Sequence, residues 1–162
     1  MSLPSSIIAQ GCLVDCLIQG ASLLMPSTGA TAASESNSWI VRSSPEAVAF
    51  VDYVPDRELL VLSADIGVPA AEGRQRYYET FLQYSQTWEA TNGLRFGIEK
   101  ADGSAWLLQD VAIHCAGPAA LAQHLARFLD DCRTWRTFLS SDSSFIGKSP
   151  KAETSGSRSY RE

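Results

Sequence analysis

Cys12 and Cys16 stand four residues apart, a spacing that sets two side chains on one helical face, where a pair of thiolates is able to ligate a metal. His114, Cys115 and His124 are the residues that would complete a donor set, but no tight Cys/His ligand motif joins them and no CxxC occurs. All four cysteines, Cys132 included, fall in apolar-patterned segments, where a reduced thiol packs as a small hydrophobe. Core thiols are therefore expected, with no metal centre and no cofactor. His114 and Cys115 are neighbours on an expected strand, so their side chains point to opposite faces and make no nucleophilic pair. Asp52, Asp56, Glu58 and Asp65 form a loose acidic series about a turn. Paired carboxylates perform acid–base chemistry, yet turn carboxylates are usually only solvated, and no catalytic residue is expected among them. Gly67 and Gly73 lack the spacing of a phosphate loop and the Lys-Ser/Thr that follows one.

The elements that must position these residues follow from periodicity. Ile7, Ile8, Val14, Leu17, Ile18, Ala21, Leu24 and Met25 recur at helical steps, with Ser5 or Ser6 as cap and Pro26 closing the far end. Residues 26–38 are almost all Pro, Ser, Thr, Gly, Ala and Asn, and read as a mobile loop with too little apolar area to repay ordering. Three strands are expected next, at Trp39–Val41, Ala47–Val54 and Glu58–Ala64, and their short turns suggest an antiparallel meander. In the second of them Val48 and Phe50 face one side, Val51 and Tyr53 the other, and the pattern leaves open which side is inside. A second helix is expected over Gly73–Thr91, stopped by Asn92-Gly93. Strands at Leu94–Lys100 and Ala105–Cys115 flank the tight Ala101–Ser104 turn. A third helix opens at Gly117-Pro118 and carries a stripe from Leu121 to Leu139. The expected fold is α+β: an antiparallel five-stranded twisted sheet with three helices, in the order α-β-β-β-α-β-β-α.

At 162 residues and 45% hydrophobic content the chain fits one domain, expected over residues 1–140, with residues 141–162 as a disordered tail dispensable for folding. The formal net charge is −5, while residues 143–162 set Lys148, Lys151, Arg158 and Arg161 against Glu153 and Glu162. An acidic body lacks the basic stripe that displaces phosphate counterions, so no nucleic-acid partner is expected. The stretch from Ile7 to Met25 has no basic flank and is interrupted by Gln10, Asp15 and Gln19, which argues against a signal peptide or membrane insertion and for a cytoplasmic protein with reduced thiols.

The aromatic residues carry more information than the chemical ones. Tyr77, Tyr78, Phe81, Tyr84 and Trp88 load more than one face of the second helix, and a lone small sheet covers only one. A homodimer is the expected answer, with Phe81, Tyr84, Trp88, Leu94, Phe96 and Ile98 at its interface.

The run Leu60-Val61-Leu62-Ser63-Ala64-Asp65-Ile66-Gly67-Val68-Pro69, a leucine-alternating strand before a Gly/Pro turn and a Tyr/Leu-rich helix, resembles the class I type III secretion chaperones of the Tir chaperone superfamily. Leu94–Asp110, and Leu121–Leu139 with its late Trp135, continue the resemblance, which spans roughly residues 5–140 through diffuse apolar positions. Two departures stand out: a longer loop at 26–38, and Leu82-Gln83-Tyr84-Ser85 where the family often has a leucine–small–asparagine pattern. The resemblance implies a small, acidic, dimeric bacterial protein of the cytoplasm that holds the N-terminal segment of a secreted effector in extended form, without itself hydrolysing nucleotide. On physical grounds, an extended partner adds to a sheet edge and sets alternate side chains in apolar pockets. The first helix would supply these together with Trp39, Val41, Val48, Phe50, Val51 and Tyr53. A sensory or adaptor domain of the same fold, separable by gene neighbourhood, is one alternative. A small enzyme built on the Asp52–Asp65 carboxylates is another, and a deep polar pocket with a strongly raised carboxylate would favour it.

Overall fold

The structure, a computed structural model, describes residues 5–25, 29–32, 37–115 and 117–141. The chain runs α1 (Ser5–Leu23), β1 (Gly29–Ala32), β2 (Ser38–Arg42), β3 (Val48–Val54), β4 (Leu59–Gly67), α2 (Arg74–Gln86), β5 (Arg95–Ile98), β6 (Ala105–Ala112) and α3 (Pro118–Ser140). The six strands form one antiparallel sheet in the order β1-β2-β3-β4-β6-β5, so β1 and β5 are its edges.

Alternation along the strands assigns the faces. Ala49, Val51 and Tyr53 of β3, Leu60, Leu62, Ala64 and Ile66 of β4, and Leu107 and Val111 of β6 are buried beneath the helices. Register carries the pattern across the sheet, with Val51 opposite Leu62, Tyr53 opposite Leu60, and Leu60 opposite Val111. The helical layer over this face is α3, which buries Leu121, Leu125, Phe128, Leu129, Cys132 and Trp135, with α1 lying against it through Val14, Ile18 and Ala21. Gly20 makes the approach close: a Cβ there would sit 3.3 Å from the Pro118 ring. At the far end Arg136 donates to the backbone carbonyls of Asp65 and Glu46, tying the last turns of α3 to two strand ends.

The α+β class, the three helices and the antiparallel sheet agree with the sequence reading; the strand count does not. The sixth strand is β1, within the stretch read as a loop, where Gly29 pairs with Arg42, Ala30 with Val41, Thr31 with Ile40 and Ala32 with Trp39. Gly-Ala-Thr-Ala has no apolar alternation, and its pairing rests on backbone hydrogen bonds that leave no side-chain signature. The second helix is also shorter than expected. It ends at Gln86, and turns over 87–93 follow, where the Thr87 hydroxyl donates to the Tyr84 carbonyl at 2.7 Å and Asn92 and Gly93 take positive φ. β4 instead continues to Gly67, whose φ of 108° accompanies a register shift between Asp65 and Gly67. β6 stops at Ala112, and a single 3-10 turn spans Ile113–Cys115. Of the tail expected over residues 141–162, all but Ser141 lies outside the described residues.

Candidate functional site

α1 has apolar residues around its whole circumference, and among the described residues one face of it packs inward. Val14, Ile18 and Ala21 pack inward, and the Asp15 carboxylate accepts a 2.8 Å hydrogen bond from the Trp39 indole N–H, fixing the helix against β2. Gln19 donates to the Ala30 carbonyl, holding edge strand β1 alongside. The remaining face turns outward with Cys12, Leu13, Cys16, Leu23 and Leu24; Leu13 is 67% exposed, Leu23 86% and Leu24 59%. At 100° per residue these five positions fall within one third of the helix circumference. The reading of Cys12 and Cys16 as core thiols is thus corrected: both are exposed and free. Apolar character misled because it marks two faces of α1, and spacing within the helix does not say which one has a neighbour.

Two grooves open where α1 ends. The first, of about 480 Å³, is floored by Ala119, Ala122, Ala126 and Leu129 of α3 and walled by Leu24 and Met25. The second, of about 540 Å³, lies beside the β1–β2 edge between Gly29, Thr31, Ile40 and Pro45. Ser43 lines both, so the grooves meet around the β2–β3 turn. On the side of the sheet that no helix of the described residues covers, Phe50 (37% exposed) and Trp106 lie with ring centroids 5.9 Å apart.

The residues expected to contact a partner separate into two groups. Trp39, Val41, Val51 and Tyr53 belong to the core and reach no partner while the domain is folded. Val48 and Phe50 point to the opposite, uncovered face. Those expected at a dimer interface separate likewise. Phe81 and Leu94 are buried within this chain, and Phe81 stacks on Phe96 at 4.5 Å. Trp135 meets Tyr84 at 4.9 Å and Phe96 at 4.7 Å in edge-on contacts, so much of the aromatic load of α2 fastens it to β5 and α3. Trp88 (57% exposed) and Ile98 remain outside, joined by Leu82, which sequence reasoning missed. Leu13, Leu23 and Trp106 were missed too. For the two leucines the available signal was an apolar α1 too broad for one buried stripe.

The acidic series is dispersed. The Ser38 hydroxyl donates to the Asp52 carboxylate, the Gly67 N–H donates to Asp65 at 2.7 Å, and Asp56 and Glu58 are exposed around the turn. A cleft of about 670 Å³ beside Trp88 holds Glu89, Asn92 and the 2.7 Å Arg95–Asp110 ion pair, and none of the four carboxylates lines it. Among the described residues no group of three or more His, Cys, Asp or Glu is arranged to hold a metal ion, and no helix is long and apolar enough to cross a membrane.

The model of the Tir chaperone protein (CesT) family matches residues 26–136. Among solved structures the chain is similar to the ExsC–ExsE complex, with a TM-score of 0.64 and 19% identity over 80% of this chain and 95% of that one. The HopA1–SchA chaperone–effector complex is similar at a TM-score of 0.65 and 15% identity, over 80% and 97% of the two chains. The Yersinia pestis type III secretion chaperone SycH, in complex with a stable fragment of YscM2, follows at 0.56 and 17% identity, over 74% and 96%. At these identities the likeness is one of fold. None of the curated proteins matches the chain.

Proposed function

This chain belongs to the Tir chaperone protein (CesT) family, and from that premise we propose that it is a type III secretion chaperone that holds the extended N-terminal segment of a secreted effector in export-competent form. The observation that carries the reading is the outward apolar face of α1, continuous with two grooves that meet at Ser43 beside the β1 edge. A folded partner meets a flat patch; an extended one follows a bent track and seats one side chain after another along it. The solved relatives include chaperone–effector complexes, which fits the same use of the fold. Leu24, Leu13 and the alanine floor of α3 take the place of Trp39, Val41, Val51 and Tyr53 as contact residues, with Val48 and Phe50 kept on the sheet's uncovered face. Such a protein works in the cytoplasm, before export, and its task of keeping a segment unfolded needs many apolar contacts and no catalysis.

The second half of the proposal is a homodimer. β5 is the opposite edge of the sheet, and beside it Leu82, Trp88 and Ile98 are exposed large side chains with no neighbour large enough to cover them within the described residues. A second copy packed on α2 and β5 leaves both α1 faces free, so one effector segment is able to wrap two protomers.

The test is affinity purification of the chain from its native host, with the partner identified and its bound segment mapped by limited proteolysis and mass spectrometry. Protection of an N-terminal segment of an exported protein is the expected result. A partner held through its folded domain, or no exported partner at all, overturns the reading. Leu23→Asp/Leu24→Asp in the same experiment loses the partner while melting temperature stays within a few degrees of the unsubstituted chain.

A further inference from the structure

Cysteine is among the residue types most often buried, and Cys132 conforms: it is fully buried in α3, and burial pushes its thiol up to about 12. Cys12 and Cys16 do the opposite, lying free and exposed on the outward face of α1. Their four-residue spacing sets the Cβ atoms about 5–6 Å apart on one helix face. A disulfide needs a Cβ separation of about 3.5–4.5 Å, so an intact helix does not close one. Two thiolates gripping a single ion tolerate a wider spacing: with metal–sulfur bonds of about 2.3 Å, a near-linear pair has its sulfurs roughly 4.6 Å apart. The i, i+4 pair of ligands on one helix is the arrangement by which two histidines of a zinc helix grip their ion.

The surroundings narrow the choice of ion. α1 contains no Lys or Arg to pair with a thiolate. The Asp15 carboxylate, between the two cysteines in sequence, is engaged by the Trp39 indole. Among the described residues no third ligand joins the pair. Two sulfurs are too few for a structural zinc tetrahedron. They suit a soft ion content with low coordination, and thiolate softness selects Cu(I). We propose that Cys12 and Cys16 form a surface dithiol site for a soft monovalent cation of the Cu(I) class. Binding breaks two S–H bonds, forms two S–Cu bonds and releases two protons with copper remaining Cu(I), so affinity rises with pH. The site lies on the face assigned above to the effector, yet it does not depend on that assignment.

The experiment is an anaerobic titration of the full reduced chain with Cu(I), read by competition with the chromophoric chelator bicinchoninate. One Cu(I) per chain is expected in the unsubstituted protein and in Cys132→Ser. Cys12→Ser and Cys16→Ser each lose more than the roughly 10- to 100-fold that outer-shell changes remove, with helical circular dichroism unchanged. If the Cys12→Ser/Cys16→Ser chain, left with Cys115 and Cys132, holds Cu(I) as tightly as the unsubstituted one, the proposal is overturned. Failure of the unsubstituted chain to outcompete bicinchoninate overturns it equally. No partner protein enters the titration, so neither failure touches the chaperone reading.

Discussion

Trp135 sits where three elements meet, edge-on to Tyr84 of α2, Phe96 of β5 and Phe138 of its own helix. Truncating a buried aromatic of this kind costs about 3–5 kcal/mol, a large share of the roughly 5–15 kcal/mol that stabilises an ordinary domain. Trp135→Ala therefore shifts the urea midpoint sharply downward, as equilibrium denaturation will read. Val51→Asp should do worse, since it puts an unpaired charge at a position with no solvent exposure; Phe50→Asp, on the uncovered face, should leave the midpoint nearly unmoved. Such a contrast was illegible in β3 alone. Val48 and Phe50 are as apolar as Val51 and Tyr53, so period two reveals two faces, and only the helices that land on one of them decide which is core. Asp131 offers a test in pH. Burial first of all holds its carboxyl above the ordinary value, against the pull of Arg127, and its charge in turn helps raise the Tyr84 phenol. The folded chain thus binds that proton more tightly than the unfolded one, and stability present below the ordinary carboxylate value is lost as pH climbs to the raised one. Asp131→Asn should accordingly be the more stable protein at pH 7, with the difference shrinking to nothing in acid, as paired thermal melts across that range will report.

At the scale of elements, what was legible tracks how local the signal is. α3 and the β5–β6 hairpin are specified by their own residues, Pro118 at the first helical turn and an Asp-Gly at the tight turn. β1 is specified by its neighbour: a strand of small residues is recognisable only once β2 and Gln19 offer it partners. The end of α2 was hidden for a similar reason. Its helical spacing of aromatics continues through Trp88, but the Thr87 and Thr91 hydroxyls compete for backbone carbonyls and the chain turns out of the helix before Asn92. The α1–α3 contact gives a prediction of its own. A Cβ at Gly20 would meet the Pro118 ring at 3.3 Å, closer than ordinary van der Waals contact, so Gly20→Leu should force the helices apart and lower stability by about 1–3 kcal/mol. A melting temperature equal to that of the unsubstituted chain would mean that the two helices do not approach as described.

In the molecule as a whole, each edge of the sheet has, among the described residues, an exposed apolar region beside it, apart from the Phe50–Trp106 pair on the sheet's other face. Cys12, Leu13, Cys16, Leu23 and Leu24 lie with β1; Leu82, Trp88 and Ile98 lie with α2 and β5. This segregation is why one end is assigned to an effector and the other to a second copy. Sedimentation at micromolar concentration should give a dimer mass, and Trp88→Ala should weaken it by about 2 kcal/mol, the loss expected of an interface tryptophan. A monomer mass for the unsubstituted chain would sink the dimer without touching the α1 surface. The sequence carried the α+β class and the order of its larger elements. It did not carry the adjacency of β4 and β6, because that pairing spans the whole of α2 and the hairpin and has no local signature.

α3 covers the buried face of the sheet and packs against α1, and it is made after both. During synthesis, at about 5–20 residues per second, α1 and the first four strands leave the ribosome with Leu60, Leu62 and Val51 still uncovered. Arg136 cannot secure Asp65 and Glu46 until the last turns of that helix have emerged. The domain is thus unable to mature piecemeal from its N-terminus. A nascent or truncated chain that stops short of α3 presents a bare apolar sheet, so a ribosome-stalled intermediate at about residue 115 should be far more protease-sensitive and aggregation-prone than one released after Ser141.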